Sequence, residues 1–170
     1  MRLPPAATFA MVADLRGARE GSVFGEWRRD WSIKVAGVEA SLAFAVIDDV
    51  ESYPQFLPAV REARIVGDDN GARLVENNFL IGPVELKFRS RATRREPWGL
   101  SVTSQDGPWR RFTLDWRIEP VADGIVAYGS SRMDFRSFAL AAMTRIAWPE
   151  IERLTSIAFA ERMKAAARGR

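Results

Sequence analysis

Residues 112–135, FTLDWRIEPVADGIVAYGSSRMDF, decide the fold of this chain. On each side of Asp123-Gly124 the residues alternate between apolar and polar, the pattern of a strand with one buried face. Asp-Gly favours the backbone dihedrals of a tight turn. The stretch therefore predicts an antiparallel hairpin of two long strands, and the rest of the chain is interpreted outward from it.

Further alternating runs precede this hairpin, and a helical pattern follows it. Strands are predicted at residues 31–35, 64–66, 73–81, 84–95, 99–105, 109–121 and 125–135. Two short helices are predicted after the first strand, at residues 41–47, capped by Ser41, and at residues 49–56. After residue 135, apolar residues three or four apart predict one long helix, kinked or restarted at Pro149. They are Leu140, Met143, Ala147, Ile151, Leu154 and Ala158.

This order of elements predicts an α+β fold, with a curved antiparallel sheet around a long C-terminal helix. Sequential strands joined by short turns favour a meander, and the helix is the only long element able to cover its apolar face. A chain of 170 residues suits one domain. That domain is predicted to span residues 31–168, and residues 1–30, which have no clean period, are interpreted as an N-terminal extension.

One face of the predicted strands is apolar or neutral, and all their charged residues are assigned to the other face. Burying an unpaired charge costs several kcal/mol, so the neutral face is predicted to point inward. The inward residues are Val75, Asn77, Phe79, Ile81, Val84, Leu86, Phe88, Ser90, Ala92, Leu100, Val102, Ser104, Phe112, Leu114, Trp116, Ile118, Ile125, Ala127, Gly129, Ser131, Met133 and Phe135.

Two features of this face suggest room for a ligand. Ala127, Gly129 and Ser131 are small where a packed sheet prefers larger side chains, unless side chains of the helix fill the gap. Four polar but uncharged residues need hydrogen-bond partners, either on a ligand or from the backbone and trapped water: Asn77, Ser90, Ser104 and Ser131. A mostly apolar pocket with a few neutral polar groups is typical of small-molecule sites.

The composition excludes several kinds of chemistry. The chain contains no cysteine and no histidine, which removes disulfides, thiol nucleophiles, imidazole bases and Cys/His metal sites. The net charge is +3, carried mainly by arginine, which reflects either genome composition or attraction to phosphates of nucleic acid or anionic lipid. No apolar run approaches the roughly 18 residues that span a bilayer, and Pro4 and Pro5 interrupt the only stretch similar to a signal peptide.

Several ordered motifs resemble one family. Residues 49–58, DVESYPQFLP, resemble the signature after the first strand of the coenzyme Q-binding, START-like proteins, within the wider polyketide cyclase/dehydrase superfamily. Residues 106–109 (DGPW) and 116–120 (WRIEP) are similar to the family's central hairpin. Residues 133–137 (MDFRS) and 158–162 (AFAER) resemble the entry to its C-terminal helix and the end of that helix. The resemblance covers about residues 31–167 and departs at residues 1–30 and at the small inner residues.

The resemblance implies a helix-grip fold whose cavity, between sheet and helix, takes ubiquinone, other isoprenoid lipids or aromatic polyketides. We therefore predict a carrier of a hydrophobic small molecule, a quinone or isoprenoid lipid, with no required cofactor and no metal site. The residues predicted to contact this ligand are Tyr53, Phe56, Leu57, Asn77, Phe79, Phe88, Ser90, Val102, Ser104, Phe112, Leu114, Trp116, Ala127, Gly129, Ser131, Met133, Met143, Ile151 and Leu154.

Two other functions stay open. A polyketide cyclase or aromatase needs a general acid or base. No catalytic residue is assigned, because the inward list contains no Asp, Glu, Lys, Arg or Tyr. Tyr53 is the only aromatic hydroxyl that can be nominated, and it is expected to pack against the short helices. A module that binds proteins, RNA or the ribosome would use basic residues of the outer face: Lys87, Arg89, Arg91 and Arg117.

The expected location is cytoplasmic. Tryptophans beside arginines in residues 24–31 suit the headgroup boundary of a bilayer, so a peripheral membrane contact is the alternative. The oligomeric state has no signal in the sequence.

Overall fold

The hairpin of residues 112–135 lies in a seven-stranded antiparallel sheet in the computed structural model, which describes residues 25–169. Along the chain the elements are β1 (Trp27–Ala36), α1 (Ala40–Asp48), a 3-10 helix (Val50–Gln55), β2 (Val60–Asp69), β3 (Ala72–Ile81), β4 (Val84–Arg95), β5 (Gly99–Ser104), β6 (Trp109–Val121), β7 (Gly124–Phe135) and α2 (Phe138–Arg168).

Strands β2 to β7 form a meander, and β1 returns to pair with β7. The strand order is β1-β7-β6-β5-β4-β3-β2, and every pair is antiparallel. Helix α2 packs on the inner face, with α1 and the 3-10 helix beside its C-terminal half. The predicted α+β architecture, with two short helices after the first strand, is confirmed.

Several predicted boundaries were wrong for physical reasons. Strand β1 begins at Trp27, four residues before the predicted start at Trp31. Strand β2 is ten residues long, but irregular pairing between Val60 and Glu62 and between Ile65 and Gly67 breaks its alternation. Only its middle was therefore recognised.

The helix predictions also need two corrections. Ser41 lies inside α1 and does not cap it, since the N-cap residue is Glu39, whose side chain makes no capping bond. Helix α2 does not restart at Pro149 but runs without a break to residue 168, and Ser137 caps it by accepting a hydrogen bond from the Leu140 amide.

Alternating burial confirms the predicted inner face in β4 and β7, whereas the buried residues of β3 do not alternate. In β4 every second residue from Leu86 to Ala92 is buried, and the charged residues between them are exposed. The buried line of α2 consists of Ala141, Thr144, Phe159 and Met163, so most of it lies one position after the predicted stripe. The predicted stripe lies along the edge of this buried line and is only half-buried.

Candidate functional site

The interior consists of two apolar clusters with an incompletely covered region between them. One cluster surrounds α1 and the C-terminal half of α2, and the other surrounds Trp109 and the N-terminal half of α2. Phe79, Val102 and Leu114, at the centre of the inner face, contact both clusters and remain half-buried. Helix α2 therefore does not close over the centre of the sheet.

Half-buried residues of α2 face this region from the other side. Met143, Ala147 and Ile151 pack against the second cluster while keeping part of their surface accessible. We call the gap bounded by these three residues and by Phe79, Val102 and Leu114 the cleft. Its walls are apolar, as a site for a hydrophobic molecule requires.

Aromatic side chains close the end of the interior next to α1. The Phe159 ring lies 5.5 Å from Tyr53, 5.4 Å from Phe56 and 5.2 Å from Trp116, centroid to centroid. The Tyr53 hydroxyl donates to the Ile47 carbonyl, and burial raises the pKa of this phenol above its ordinary value. Because its proton is already committed, Tyr53 acts in this structure as a packing residue.

The space above Gly129 is filled by a tryptophan from the neighbouring strand. Trp31 pairs with Gly129 across β1 and β7, and a Cβ on Gly129 would lie 2.2 Å from Trp31 Cε2. The Trp31 ring also packs edge-on against Trp116, at 5.6 Å. The room predicted over the small residues is therefore occupied at Gly129, and by β1 instead of the helix.

Three of the four neutral polar residues are satisfied within the protein. Asn77 Nδ2 donates to Ser90 Oγ at 3.0 Å and to the Val75 carbonyl at 3.0 Å. Ser104 Oγ donates to the Arg89 carbonyl at 2.7 Å. The hydrogen-bond partners of Asn77, Ser90 and Ser104 are therefore backbone groups and neighbouring side chains, one of the two alternatives left open by the sequence.

Ser131 is the exception, and α2 supplies a second one. The hydroxyl oxygens of Ser131 and Thr144 are buried without a hydrogen-bond partner, and each residue is only 1% exposed. Ser131 lies on the inner face of β7, and Thr144 on the buried line of α2. Buried polar atoms are nearly always paired in native structures, so these hydroxyls require an explanation.

The interior also contains an ion pair, which corrects the prediction of a charge-free inner face. Arg29 of β1 alternates inward and contacts Glu152 of α2, with Nη2 3.0 Å and Nε 3.3 Å from Oε2. Trp148 Nε1 donates to the same oxygen at 2.8 Å. The side chains of Arg29 and Glu152 are 21% and 12% exposed. Arg29 was missed because it falls in the predicted extension, and Glu152 because it lies outside the predicted stripe.

A second group of charges lies at the α1 end of the sheet. Asp48, at the end of α1, pairs with Arg73 of β3 and with Arg94 of β4, the latter at 3.0 Å. Arg73 has the same inward alternation as Val75 and is 19% exposed, so the sequence assigned it wrongly to the outer face. Arg94 also contacts Glu96 at 3.4 Å, so two carboxylates balance the two guanidiniums of this group.

The predicted ligand-contacting residues fall into two sets by burial. Those that remain half-buried are Tyr53, Phe56, Asn77, Phe79, Val102, Leu114, Met143, Ile151 and Leu154. Those that are buried are Leu57, Phe88, Ser90, Ser104, Phe112, Trp116, Ala127, Gly129, Ser131 and Met133. The first set contains most of the cleft walls, and the second belongs to the packed core, so their roles toward a ligand stay predictions.

A separate groove of about 1040 Å³ crosses the outer face of β2 to β6. Its charges are largely paired: Glu76 accepts hydrogen bonds from Arg89 at 2.8 Å and Arg64 at 2.6 Å, which lower the pKa of its carboxyl. The predicted basic residues also have carboxylate partners, as Lys87–Glu85, Arg89–Glu76, Arg91–Asp69 and Arg117–Glu119. Many of the residues that line this groove are charged, whereas the cleft walls are apolar side chains, so the cleft is the better candidate for an apolar ligand.

No helix within residues 25–169 is long and apolar enough to cross a membrane. In the same residues no group of three or more acidic side chains is placed to hold a metal ion.

Comparison with known proteins places the chain among START-like folds. Residues 36–160 match the family model described as polyketide cyclase/dehydrase and lipid transport. The ZhuI aromatase/cyclase of Streptomyces sp. R1128 superimposes with a TM-score of 0.73 at 11% identity, over 82% of this chain and 94% of that one. A START superfamily protein of Mycobacterium smegmatis gives 0.67 at 14% identity, over 82% and 97%. These likenesses show the helix-grip fold.

A curated relative is the ribosome association toxin RatA of Escherichia coli K12. It is 24% identical over 83 residues, which are 49% of this chain and 52% of RatA. The chain thus spans about half the length of the curated relatives it matches.

Proposed function

Because this chain belongs to the polyketide cyclase/dehydrase and lipid transport family, we propose that it binds a hydrophobic small molecule in the cleft between its sheet and α2. The supporting observation is the accessible apolar surface of Phe79, Val102 and Leu114 at the centre of the inner face. Burying apolar surface contributes about 25 cal/mol per Å². A ligand that hides about 300 Å² would therefore gain about 7 kcal/mol before the cost of ordering is subtracted.

The proposed ligand is a ring with an isoprenoid or other lipidic tail, such as a ubiquinone. The half-buried residues extend along α2 from Met143 to Leu154, about 16 Å at the rise of an α-helix. This length suits a tail laid along the helix better than a single compact ring.

Uptake of a ubiquinone analogue with a short tail tests the proposal. Val102 and Thr103 are consecutive in β5, and the first faces the cleft while the second is exposed on the outer face. Val102→Phe should fill the cleft and weaken uptake at least tenfold, whereas Thr103→Phe should leave it unchanged. Thermal unfolding of both variants checks that they fold. The proposal fails if the wild-type chain takes up no analogue and if no lipid or quinone is extracted from protein purified from its own organism.

A cyclase-like enzyme is the second candidate, and the Arg29–Glu152 pair favours it. Aldol cyclisation needs a base to remove a proton beside a carbonyl and a donor to stabilise the resulting oxyanion. Glu152 is a carboxylate at the interior, and Arg29 supplies guanidinium donors beside it. The aromatic hydroxyl nominated from sequence, that of Tyr53, is less suited because it is bonded to the backbone.

Proton exchange separates the two candidates. Benzoylacetone in deuterated buffer should exchange its acidic carbon-bound protons faster with the protein than without it if Glu152 acts as a base. Glu152→Gln should abolish that acceleration. If exchange stays at the buffer rate while benzoylacetone still binds, the chain is a carrier and the enzyme candidate is wrong.

Binding to the ribosome stays a prediction, first made from the basic residues of the outer face and now also supported by the likeness to RatA. Because the outer arginines are paired with carboxylates, we expect any co-sedimentation with ribosomes to be weak and to fall steeply with salt.

A further inference from the structure

The first twelve residues of α2 are apolar on almost every side, whereas the rest of the helix is charged. Between Phe138 and Pro149 the one charged residue is Arg145. Residues 150–168 carry seven charged side chains. A helix that is hydrophobic all round is normally buried all round. The outer side of residues 138–149 is therefore expected to be covered.

The structure leaves this outer side exposed. Ile146 is 83% exposed and Phe138 59%, more than any other large apolar side chain in residues 25–169. Both belong to a stripe on one side of the helix, about 16 Å long, whose members follow at intervals of four, four and three residues: Phe138, Ala142, Ile146 and Pro149. We call these four residues the outer stripe. A continuous exposed apolar patch marks an interaction surface, whereas scattered apolar residues do not.

Arginines border the outer stripe. Arg145 follows Phe138 by seven residues, which is two turns, so it lies on the same side of the helix and is exposed. Arg136 is exposed just before the helix, and its amide donates to the Pro108 carbonyl at 2.9 Å. Arg110, two residues after Pro108, is exposed as well. The start of α2 thus combines an apolar surface with cations at its rim.

We propose that the outer stripe binds the surface of a bilayer that contains anionic lipid. An apolar helix face beside cations suits this partner, because the face enters the boundary between headgroups and acyl chains while the cations meet lipid phosphates. The charged residues 150–168 stay in water. Glu150, the first of them, is paired with Arg153 at 2.7 Å and therefore adds little repulsion.

A second copy of this chain fits the outer stripe less well. In a two-fold contact centred on Ile146 the residues nearest the axis meet their own copies, so two Arg145 side chains would face each other. The stripe is also small: about 16 Å of a helix roughly 10 Å wide gives about 160 Å². A stable protein interface needs about 800 Å² from each partner.

The outer stripe is separate from the cleft. The cleft residues Met143 and Ala147 each follow a stripe residue, Ala142 and Ile146, by one position, or about 100° around the helix. Contact with a bilayer therefore does not require a ligand in the cleft. The test below can fail while the proposed function stands, and the reverse is also true.

A fluorescent label placed on the outer stripe tests the proposal. The chain contains no cysteine, so Ile146→Cys and Ile157→Cys can each carry a single NBD group. Ile157 is a matched control, since it is 49% exposed and lies three turns after Ile146 on the same side of α2, but among the charged residues. With vesicles of phosphatidylcholine and one-third phosphatidylserine, the label of Ile146→Cys should brighten and shift to the blue, and that of Ile157→Cys should change little.

Co-sedimentation of unlabelled protein with the same vesicles gives a second readout. Ile146→Glu should weaken binding at least about tenfold, because it replaces a buried apolar contact by a charge. Ile157→Glu should bind as the wild-type chain does, and thermal unfolding checks that both variants fold. Vesicles of phosphatidylcholine alone, or added salt, should weaken the binding of the wild-type chain.

Three results would overturn the proposal. The wild-type chain does not sediment with the anionic vesicles, or Ile146→Glu sediments as well as the wild-type chain. The third is a label of Ile146→Cys that is already blue-shifted without vesicles. A shift that grows with protein concentration would identify a second copy as the cover, and a constant shift would identify another part of this chain.

Discussion

Gly129→Ala should destabilise the protein although it adds only one methyl group. The new Cβ would lie 2.2, 2.3 and 2.6 Å from Cε2, Cζ2 and Nε1 of Trp31, whereas non-bonded carbon atoms prefer about 3.5–4.0 Å. The rigid indole must therefore move by more than about 1 Å, away from its contact with Trp116. Such overpacking costs about 1–3 kcal/mol, and restricting the unfolded chain returns about 0.4–1 kcal/mol. The net loss should be about 1–2 kcal/mol.

A double-mutant cycle identifies the cause of this loss. In a Trp31→Leu background the clash disappears, so Gly129→Ala should become neutral or slightly stabilising, with a coupling energy of about 2 kcal/mol. Urea unfolding followed by circular dichroism measures all four corners of the cycle. Gly67→Ala is the matched control, because its Cβ would meet only Leu74 Cδ1, at an ordinary 3.7 Å.

Two results would refute this reasoning. If Gly129→Ala is as harmless as Gly67→Ala, the space above Gly129 is open and is available to a ligand, as the sequence predicted. If the cycle is additive, the loss does not come from Trp31.

Three further predictions concern stability and pH. Arg29→Met should lower the free energy of unfolding by about 2–3 kcal/mol, because it leaves Glu152 partly buried without a cation. Adding Glu152→Leu should recover most of the lost stability, as measured by urea unfolding, and no recovery would contradict this explanation. Thr144→Val should raise the free energy of unfolding of the ligand-free protein by about 1 kcal/mol, because it removes a buried hydroxyl that has no partner. Thermal unfolding tests this, and a variant that melts at a lower temperature than the wild-type protein would mean that the hydroxyl has a partner. Burial raises the pKa of Tyr53, so the folded state keeps a proton that the unfolded state loses near pH 10, and the free energy of unfolding should fall as pH rises above about 10. Tyr53→Phe should lose about 1 kcal/mol at neutral pH with its bond to Ile47, yet show a shallower alkaline fall; parallel pH profiles would contradict this.

The regular part of the fold could be predicted because its signal is local. Strands β4 and β6 have the bounds that their alternation predicts, Val84–Arg95 and Trp109–Val121. Strand β2 could not be bounded in this way, because its irregular pairing shifts the side-chain period and one sequence does not show where pairing shifts. Arg73 was assigned to the wrong face for a different reason: its alternation with Val75 places it inward, but every charged strand residue was assigned to the outer face.

The candidate site was harder to predict because its contacts join distant parts of the chain. The guanidinium of Arg29 and the carboxylate of Glu152 are 123 residues apart, and neither residue has a local signal of the other. The contact of Trp31 with Gly129 depends on the register of β1 against β7. Predicting these contacts needs the register of β1 against β7 and the placement of α2 on the sheet, and the alternation within one strand specifies neither.

The position of β1 at the edge of the sheet has a consequence during synthesis. Its hydrogen-bonding partner, β7, follows about a hundred residues later in the chain. At about 5–20 residues per second, the nascent β1 waits roughly 5–20 s on the translating ribosome before its partner has been made. Throughout that time Trp27 and Trp31 lack the strand and helix that cover them in the finished domain, so this segment keeps apolar surface exposed until the last third of the chain has been made.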